Sequence, residues 1–146
     1  MVPKKNYPGL IKDIGHILSS SRQQAYLAVN SALVQAYWRI GQRIVEYEQG
    51  GKKKAEYGDQ LLDRLQHDLT LRYGRGFSRS NIIYMRLLYL KYPISETLSH
   101  QLTWSHYFEL LKVDDDLPRG FYEKQCIREG WSVRQLKRQK ESMLFE

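Results

Sequence analysis

The sequence has few of the residues that staple small secreted proteins, bind metals or cross membranes. It contains one cysteine, four prolines and four histidines among 146 residues. A lone thiol cannot form an internal disulfide, and the histidines lack the spacing of a metal site. No apolar run approaches the roughly 20 residues that a membrane-spanning helix needs, and the N-terminus has no signal-peptide pattern. We therefore expect a cytoplasmic protein with no cofactor, metal site or membrane segment.

Acidic residues are also scarce, since 16 Asp and Glu face 23 Lys and Arg and leave a net charge of +7. The excess is concentrated in two places. Five basic and no acidic residues lie from Arg72 to Lys91, and six basic residues with one acid lie from Lys124 to Lys140. A basic patch is the electrostatic footprint of a polyanion ligand, although a merely solvated surface gives the same pattern. The acidic run at residues 114–116 is interpreted as a loop before a helix rather than a cation site.

Helical periodicity dominates the chain, and sustained apolar/polar alternation is almost absent. This predicts an all-α fold of five to seven helices. The longest predicted helix spans residues 21–47 and is expected to be the scaffold of the domain. Tyr26, Val29 and Leu33 are expected on its buried apolar stripe, which Val34 and Trp38 widen. The glycines at positions 50 and 51 are expected to stop it. A short helix near residues 7–19 precedes it, so that residues 1–20 are interpreted as an arm and residues 21–146 as a single helical domain.

The later helices are predicted from their capping residues. Ser78, Thr103 and Ser132 are suitable N-caps, because a hydroxyl accepts a hydrogen bond from a free amide of the first turn. Ser132 and Gln135 also match a capping box. The predicted helices cover residues 55–73, 79–92, 104–111, 118–130 and 133–140.

Residues 118–140 are the first candidate for a helix-turn-helix unit. Two helices joined by a short turn that contains Gly130 match this motif. In such a unit the N-terminal end of the second helix enters the major groove, so that Arg134, Gln135 and Arg138 would face DNA. The alternative is an ordinary helical corner whose outward basic face, which includes Lys140, is only solvated.

Residues 61–91 are the second candidate. Gly74 and Gly76 lie just before a helix N-terminus, where backbone amides bind phosphate readily. The alternative is a plain helical hairpin with Phe77 inserted into the core. The residues predicted to bind nucleic acid across both candidates are Arg72, Arg75, Arg79, Arg86, Arg134, Gln135, Lys137 and Arg138.

Signatures of enzymatic chemistry are poor. No Asp or Glu is followed two residues later by Lys, which is the pattern of a metal-dependent nuclease of the D/E-x-K kind. Cys126 has no recognisable His partner and is expected to pack in the core. No catalytic residue is predicted, and this chain is not expected to be an enzyme by itself.

Four separated motifs occur along the chain, at residues 28–46, Tyr57-Gly58 with residues 74–81, residues 102–107 and residues 130–136. Together they resemble the N-terminal domain of the bacterial YhcG-type proteins. In that family the helical domain precedes a nuclease domain of the PD-(D/E)xK superfamily.

The resemblance implies a non-catalytic module that binds duplex DNA and serves a downstream nuclease domain. It also implies an isolated N-terminal domain, with a short stand-alone gene product as the alternative. A different function remains open, in which the helix at residues 21–47 forms a homodimer or docks a partner without contacting DNA. Trp38, Trp104 and Trp131 lie in these motifs and are expected to be core residues.

Overall fold

The computed structural model describes residues 6–50 and 59–142, with the backbone alone for Asp59. These residues form six α-helices and no strand, which confirms the predicted fold class. A single 3-10 turn at Ser95–Thr97 lies between the third and fourth helices. Across the described ranges, no helix has both the length and the hydrophobicity needed to traverse a bilayer. The helices are α1 Tyr7–Gly50, α2 Asp59–Tyr73, α3 Arg79–Lys91, α4 Trp104–Leu110, α5 Asp116–Glu129 and α6 Val133–Glu141.

The first helix is one continuous element, so the predicted break between a short helix and a scaffold helix is wrong. α1 has 44 residues, which makes it about 66 Å long. The serines at positions 19–21 do not end it, because serine lowers helix propensity only slightly. The predicted stop at Gly51 and the predicted start of the second helix at residues 55–58 lie outside the described residues.

The face of α1 that joins the core is narrower than the predicted stripe. Tyr26, Val29 and Leu33 were expected to be buried, but all three are exposed. The core contacts come from one flank of the predicted stripe, where Val34 and Trp38 are buried as expected. The cause is the close approach of α3, the helix with which α1 shares its largest contact.

Gly41 permits this approach. A Cβ at this position would overlap the backbone carbonyl of Met85 on α3, so a larger residue does not fit. The isolated glycine inside a strong helical pattern was the available sequence signal, because such a residue often marks a close packing contact.

Two hydrophobic clusters divide the core between the ends of the molecule. The first joins the middle of α1 and the end of α3 to α4, α5 and α6. The second joins the end of α1 to α2 and the start of α3. Trp38 lies in the first cluster and donates its indole N–H to the Tyr92 carbonyl at 2.7 Å, while Trp104 and Trp131 pack against it half-buried. The predicted core role is confirmed for Trp38, whereas Trp104 and Trp131 lie at the edge of the core.

Candidate nucleic-acid interface

The α5–α6 unit has the predicted turn and cap. Gly130 ends α5 in the left-handed conformation at φ 64°, which glycine adopts without steric cost. Ser132 Oγ accepts from the Gln135 amide at 3.2 Å, and Gln135 Oε1 accepts from the Ser132 amide at 2.8 Å. This confirms the capping box, so the Gln135 side chain already has a structural role. α5 begins at Asp116 rather than at the predicted Pro118.

The inner face of α6 is anchored on α4. Leu136 is completely buried, and Lys140 donates to the Glu109 carboxylate and to the Glu109 carbonyl, each at 2.8 Å. Lys140 was predicted to face outward, and it is instead half-buried because Glu109 holds it. The ring nitrogen His106 Nε2 also lies 2.8 Å from the Trp131 carbonyl. These contacts fix the orientation of α6 against the rest of the domain.

Glu109 is charged because of its two lysine neighbours. Burial alone raises the pKa of this carboxyl group. The hydrogen bonds and positive charges of Lys140 and Lys112 outweigh that effect, and the pKa of Glu109 is below its ordinary value. The ion pair therefore remains formed at neutral pH.

The outer face of α6 carries three exposed cations. Arg134, Lys137 and Arg138 are exposed and lie at positions i, i+3 and i+4, which share one side of a helix. Together with Glu141 they line an open groove of about 340 Å³. Among the residues that the structure describes, no carboxylate pairs with these three cations.

The α2–α3 unit uses half of its predicted contact residues internally. Arg79 pairs with Asp63 of α2 at 2.9 Å. Arg86 was expected to be exposed, but it is half-buried and pairs with Glu48 of α1 at 2.7 Å. Arg72 and Arg75 remain exposed beside the turn. The structure thus leaves a smaller free charge on this unit than the sequence indicates.

The turn between α2 and α3 caps itself. Gly74 and Gly76 have φ of 82° and 107°, which glycine tolerates. Ser78 Oγ accepts from the Asn81 amide, and the Asn81 side chain donates to the Gly76 carbonyl, each at 3.1 Å. Phe77 packs half-buried against the second cluster, as in the plain hairpin interpretation.

A buried polar cluster behind α6 was not predicted from the sequence. The Glu123 carboxylate accepts hydrogen bonds from Tyr92 at 2.9 Å and from Tyr107 at 3.0 Å. Burial, with the Glu123 charge as a second cause, raises the pKa of both phenols. Burial also raises the pKa of the Cys126 thiol to about 11. The thiol is therefore protonated at neutral pH and packs in the core as expected.

Two cations contact the acidic run at residues 114–116, one through a carboxylate and both through backbone carbonyls. The buried guanidinium of Arg119 pairs with Asp116 and donates to the carbonyls of Val113 and Asp114 at 2.9 and 3.1 Å. Lys91 donates to the same Asp114 carbonyl at 3.4 Å. Over residues 6–50 and 59–142, no group of three or more His, Cys, Asp or Glu is arranged to hold a metal ion.

Residues 13–146 match the DUF1016 N-terminal domain family. The chain belongs to this family. It is also 39% identical to the Escherichia coli (strain K12) protein named "Putative nuclease YhcG", over 96% of this chain and 46% of that protein. The chain thus spans about half the length of the curated relative that it matches. No solved structure matches the chain.

Proposed function

We propose that this DUF1016 N-terminal domain binds duplex DNA through the outer face of α6 and targets an associated nuclease domain to it. The observation that carries the proposal is the exposed cluster formed by Arg134, Lys137 and Arg138 on the second helix of the α5–α6 unit, for which the described residues supply no acidic partner. Side chains with no internal partner are available to phosphate oxygens, which supply much of the affinity of DNA-binding proteins.

The anchoring of α6 supports this proposal. Leu136 and Lys140 fix the helix from the inside, and the Ser132–Gln135 capping box fixes its first turn. A rigid helix presents its outer cations in one geometry, so little conformational entropy is lost when a ligand binds.

The three cations have complementary chemistry. Arg134 and Arg138 are one turn apart, and a planar guanidinium binds a phosphate or the edge of a guanine with two hydrogen bonds. Lys137 lies between them and adds a compact charge suited to phosphate. Arg134 is in the first turn of α6, which is the part of a recognition helix that contacts base edges.

The nuclease part of the proposal rests on the relative alone. The E. coli protein is named as a nuclease, and this chain covers 46% of its length. Since no metal-holding acidic group is found in the described residues, we assign the cutting chemistry to another part of such a protein. This domain then contributes the affinity for DNA and positions the nuclease domain on it.

The decisive experiment is a titration of a labelled duplex by fluorescence anisotropy at about 50 and 200 mM salt. We expect the variant with Arg134→Ala, Lys137→Ala and Arg138→Ala to lose on the order of 100-fold in affinity. Its slope of log K against log salt should fall by about 2 to 3, because each lost phosphate contact removes about 0.9.

The matched control is Arg72→Ala with Arg75→Ala, which removes exposed arginines from the other unit. This variant should bind almost as tightly as the unaltered chain. No binding of duplex at low salt would overturn the proposal. A larger loss in the control than in the α6 variant would move the interface to the α2–α3 turn and contradict the assignment to α6.

A further inference from the structure

The N-terminal half of α1 extends away from the packed part of the domain. Every residue from Leu10 to Tyr26 is exposed. This segment is nevertheless rich in large apolar side chains, each with between 44% and 64% of its surface exposed. They are Tyr7, Leu10, Ile11, Ile14, Ile17 and Leu18. A contiguous apolar surface of this kind is typical of an interaction site.

The exposed residues include a regular stripe. Eight of them recur at alternating intervals of four and three, which is the 3.5-residue period of a helix that pairs with another helix. We refer to them as the α1 stripe. Its members are Tyr7, Ile11, Ile14, Leu18, Ser21, Ala25, Ala28 and Ala32.

The α1 stripe lies on the side of the helix opposite the core. Ala32 of the stripe and buried Val34 of the core face are two residues apart, so their side chains point about 200° apart around the helix axis. The helices that bury Val34 therefore cannot also cover the stripe.

We propose that the α1 stripe pairs with the α1 stripe of a second copy of this chain in antiparallel orientation. This inference is independent of the proposal about DNA. The stripe is bulky in its first half and small in its second half. An antiparallel pair that brings Leu18 opposite Ser21 places one large and one small residue in every layer. The four layers, each formed twice, pair Tyr7 with Ala32, Ile11 with Ala28, Ile14 with Ala25 and Leu18 with Ser21.

Uniform layers favour this orientation over a parallel one. Facing large and small residues interdigitate, and the distance between two helix axes depends on the side chains between them. In the antiparallel pair every layer has a similar volume, so the helices stay equally far apart. A parallel pair would place Ile14 against Ile14 at one end and Ala25 against Ala25 at the other, which leaves gaps between the alanines.

Charge and area are also compatible with a second copy. The segment from Tyr7 to Ala32 carries only the charges of Lys12, Asp13 and Arg22, and none of them is on the stripe. In the antiparallel register Arg22 approaches Gly15 of the second copy, so no like charges meet. The segment is about 39 Å long and one helix diameter wide, which gives roughly 400 Å² per chain in projection. Two such surfaces approach the ~1,000 Å² at which specific interfaces begin, so we expect a micromolar dimer.

The test is sedimentation equilibrium of the whole 146-residue chain from about 5 to 200 µM, without nucleic acid. We expect a reversible dimer. Ile14→Glu alone and Ala25→Lys alone should each weaken dimerisation at least about 30-fold, because each introduces an unpaired charge into the seam. The two changes in one chain should restore the dimer to within about tenfold, since the introduced carboxylate of each copy then faces the introduced ammonium group of the other.

Two controls distinguish a change in the interaction surface from a change in the fold. His16→Glu adds a charge to the same exposed segment away from the stripe and should leave dimerisation unchanged. Far-UV circular dichroism should be the same for all variants, since the altered residues are exposed. A monomer at every concentration would overturn the proposal. A double variant that stays monomeric would overturn the antiparallel pairing.

Discussion

The α2–α3 and α5–α6 units have the same layout, but they use their charges differently. Each consists of two helices joined by a glycine-containing turn, and each carries a cluster of basic residues. In the first unit Arg79 and Arg86 pair with Asp63 and Glu48. In the second unit the only basic residue of α6 with a described acidic partner is Lys140, which faces inward. A count of basic residues therefore overestimates the free charge of one unit and describes the other well.

The difference arises from the helices against which each unit packs. α3 lies on the end of α1, where Glu48 is half-buried and within reach of Arg86. α6 lies on α4, where Glu109 faces the inner side of α6 and engages Lys140 alone among the α6 cations. The outer cations of α6 remain exposed to water, and in the described part of the chain none of them has an acidic partner.

The largest expected effect is the loss of the α5–α6 unit in Leu136→Ala. Leu136 has no exposed surface, and a leucine truncated in a packed core leaves a cavity. We expect the free energy of unfolding to fall by about 2–5 kcal/mol. Urea denaturation measures it, with Leu71→Ala as the control because Leu71 is 77% exposed. Equal losses in both variants would show that α6 does not depend on this side chain.

The second prediction concerns the other end of the molecule and uses two glycines of α1. Gly41→Ala should destabilise the fold by about 1–3 kcal/mol, because its Cβ would overlap the Met85 carbonyl and push α3 away. Gly15→Ala meets no atom within 4 Å and should stabilise the helix by about 0.5–1 kcal/mol. Thermal denaturation of both variants shows whether each substitution lowers or raises the stability of the fold. A neutral Gly41→Ala would contradict the close approach of α1 and α3.

The parts of this fold that depend on neighbouring residues could be predicted from the sequence. The hydroxyl caps at Ser78, Thr103 and Ser132 act on amides three residues away, so their partners are visible in a short window. The left-handed turn at Gly130 is equally local. These features fixed the starts of α3, α4 and α6 correctly.

The features that depend on distant residues could not be predicted. Glu48 and Arg86 are 38 positions apart, and Glu109 and Lys140 are 31 apart, so no helical spacing relates them. Both the arginine and the lysine therefore appeared to be free in the sequence. The expected exposure is found at Arg134, Lys137 and Arg138, but not at Arg86, which an ion pair holds half-buried. Binding of DNA by these residues stays a prediction.

The third prediction is a pH dependence that Glu109 imposes on the docking of α6. The pKa of Glu109 is lower in the folded chain than its ordinary value of 4.5. Its contribution to stability is therefore present above about pH 4.5 and is lost as the pH falls through the folded-state pKa. Glu109→Gln should cost about 1–3 kcal/mol at pH 7, because Lys140 is left half-buried without its partner.

The measurement is a series of urea midpoints between about pH 3 and pH 7. The unaltered chain should lose more stability on acidification than Glu109→Gln does. Glu46→Gln is the control, since Glu46 pairs with Arg43 on an exposed surface and such pairs contribute little. Parallel pH curves for the unaltered chain and Glu109→Gln would show that another carboxylate dominates the acid response.

The smallest expected effect on stability comes from replacing one arginine in each unit. Arg86→Met should cost about 1 kcal/mol, because Glu48 has only 12% of its side chain exposed and loses its partner at 2.7 Å. Arg134→Met should change the free energy of unfolding by less than about 0.5 kcal/mol, since its side chain has no described partner to lose. Methionine retains most of the apolar stem, so the comparison isolates the charged group. Urea denaturation at neutral pH measures both variants, and equal costs would mean that α6 also uses its outer charges to hold the fold. If Arg86→Met costs more stability than Arg134→Met, Arg86 stabilises the fold, and Arg134 is available to a ligand without any loss of stability.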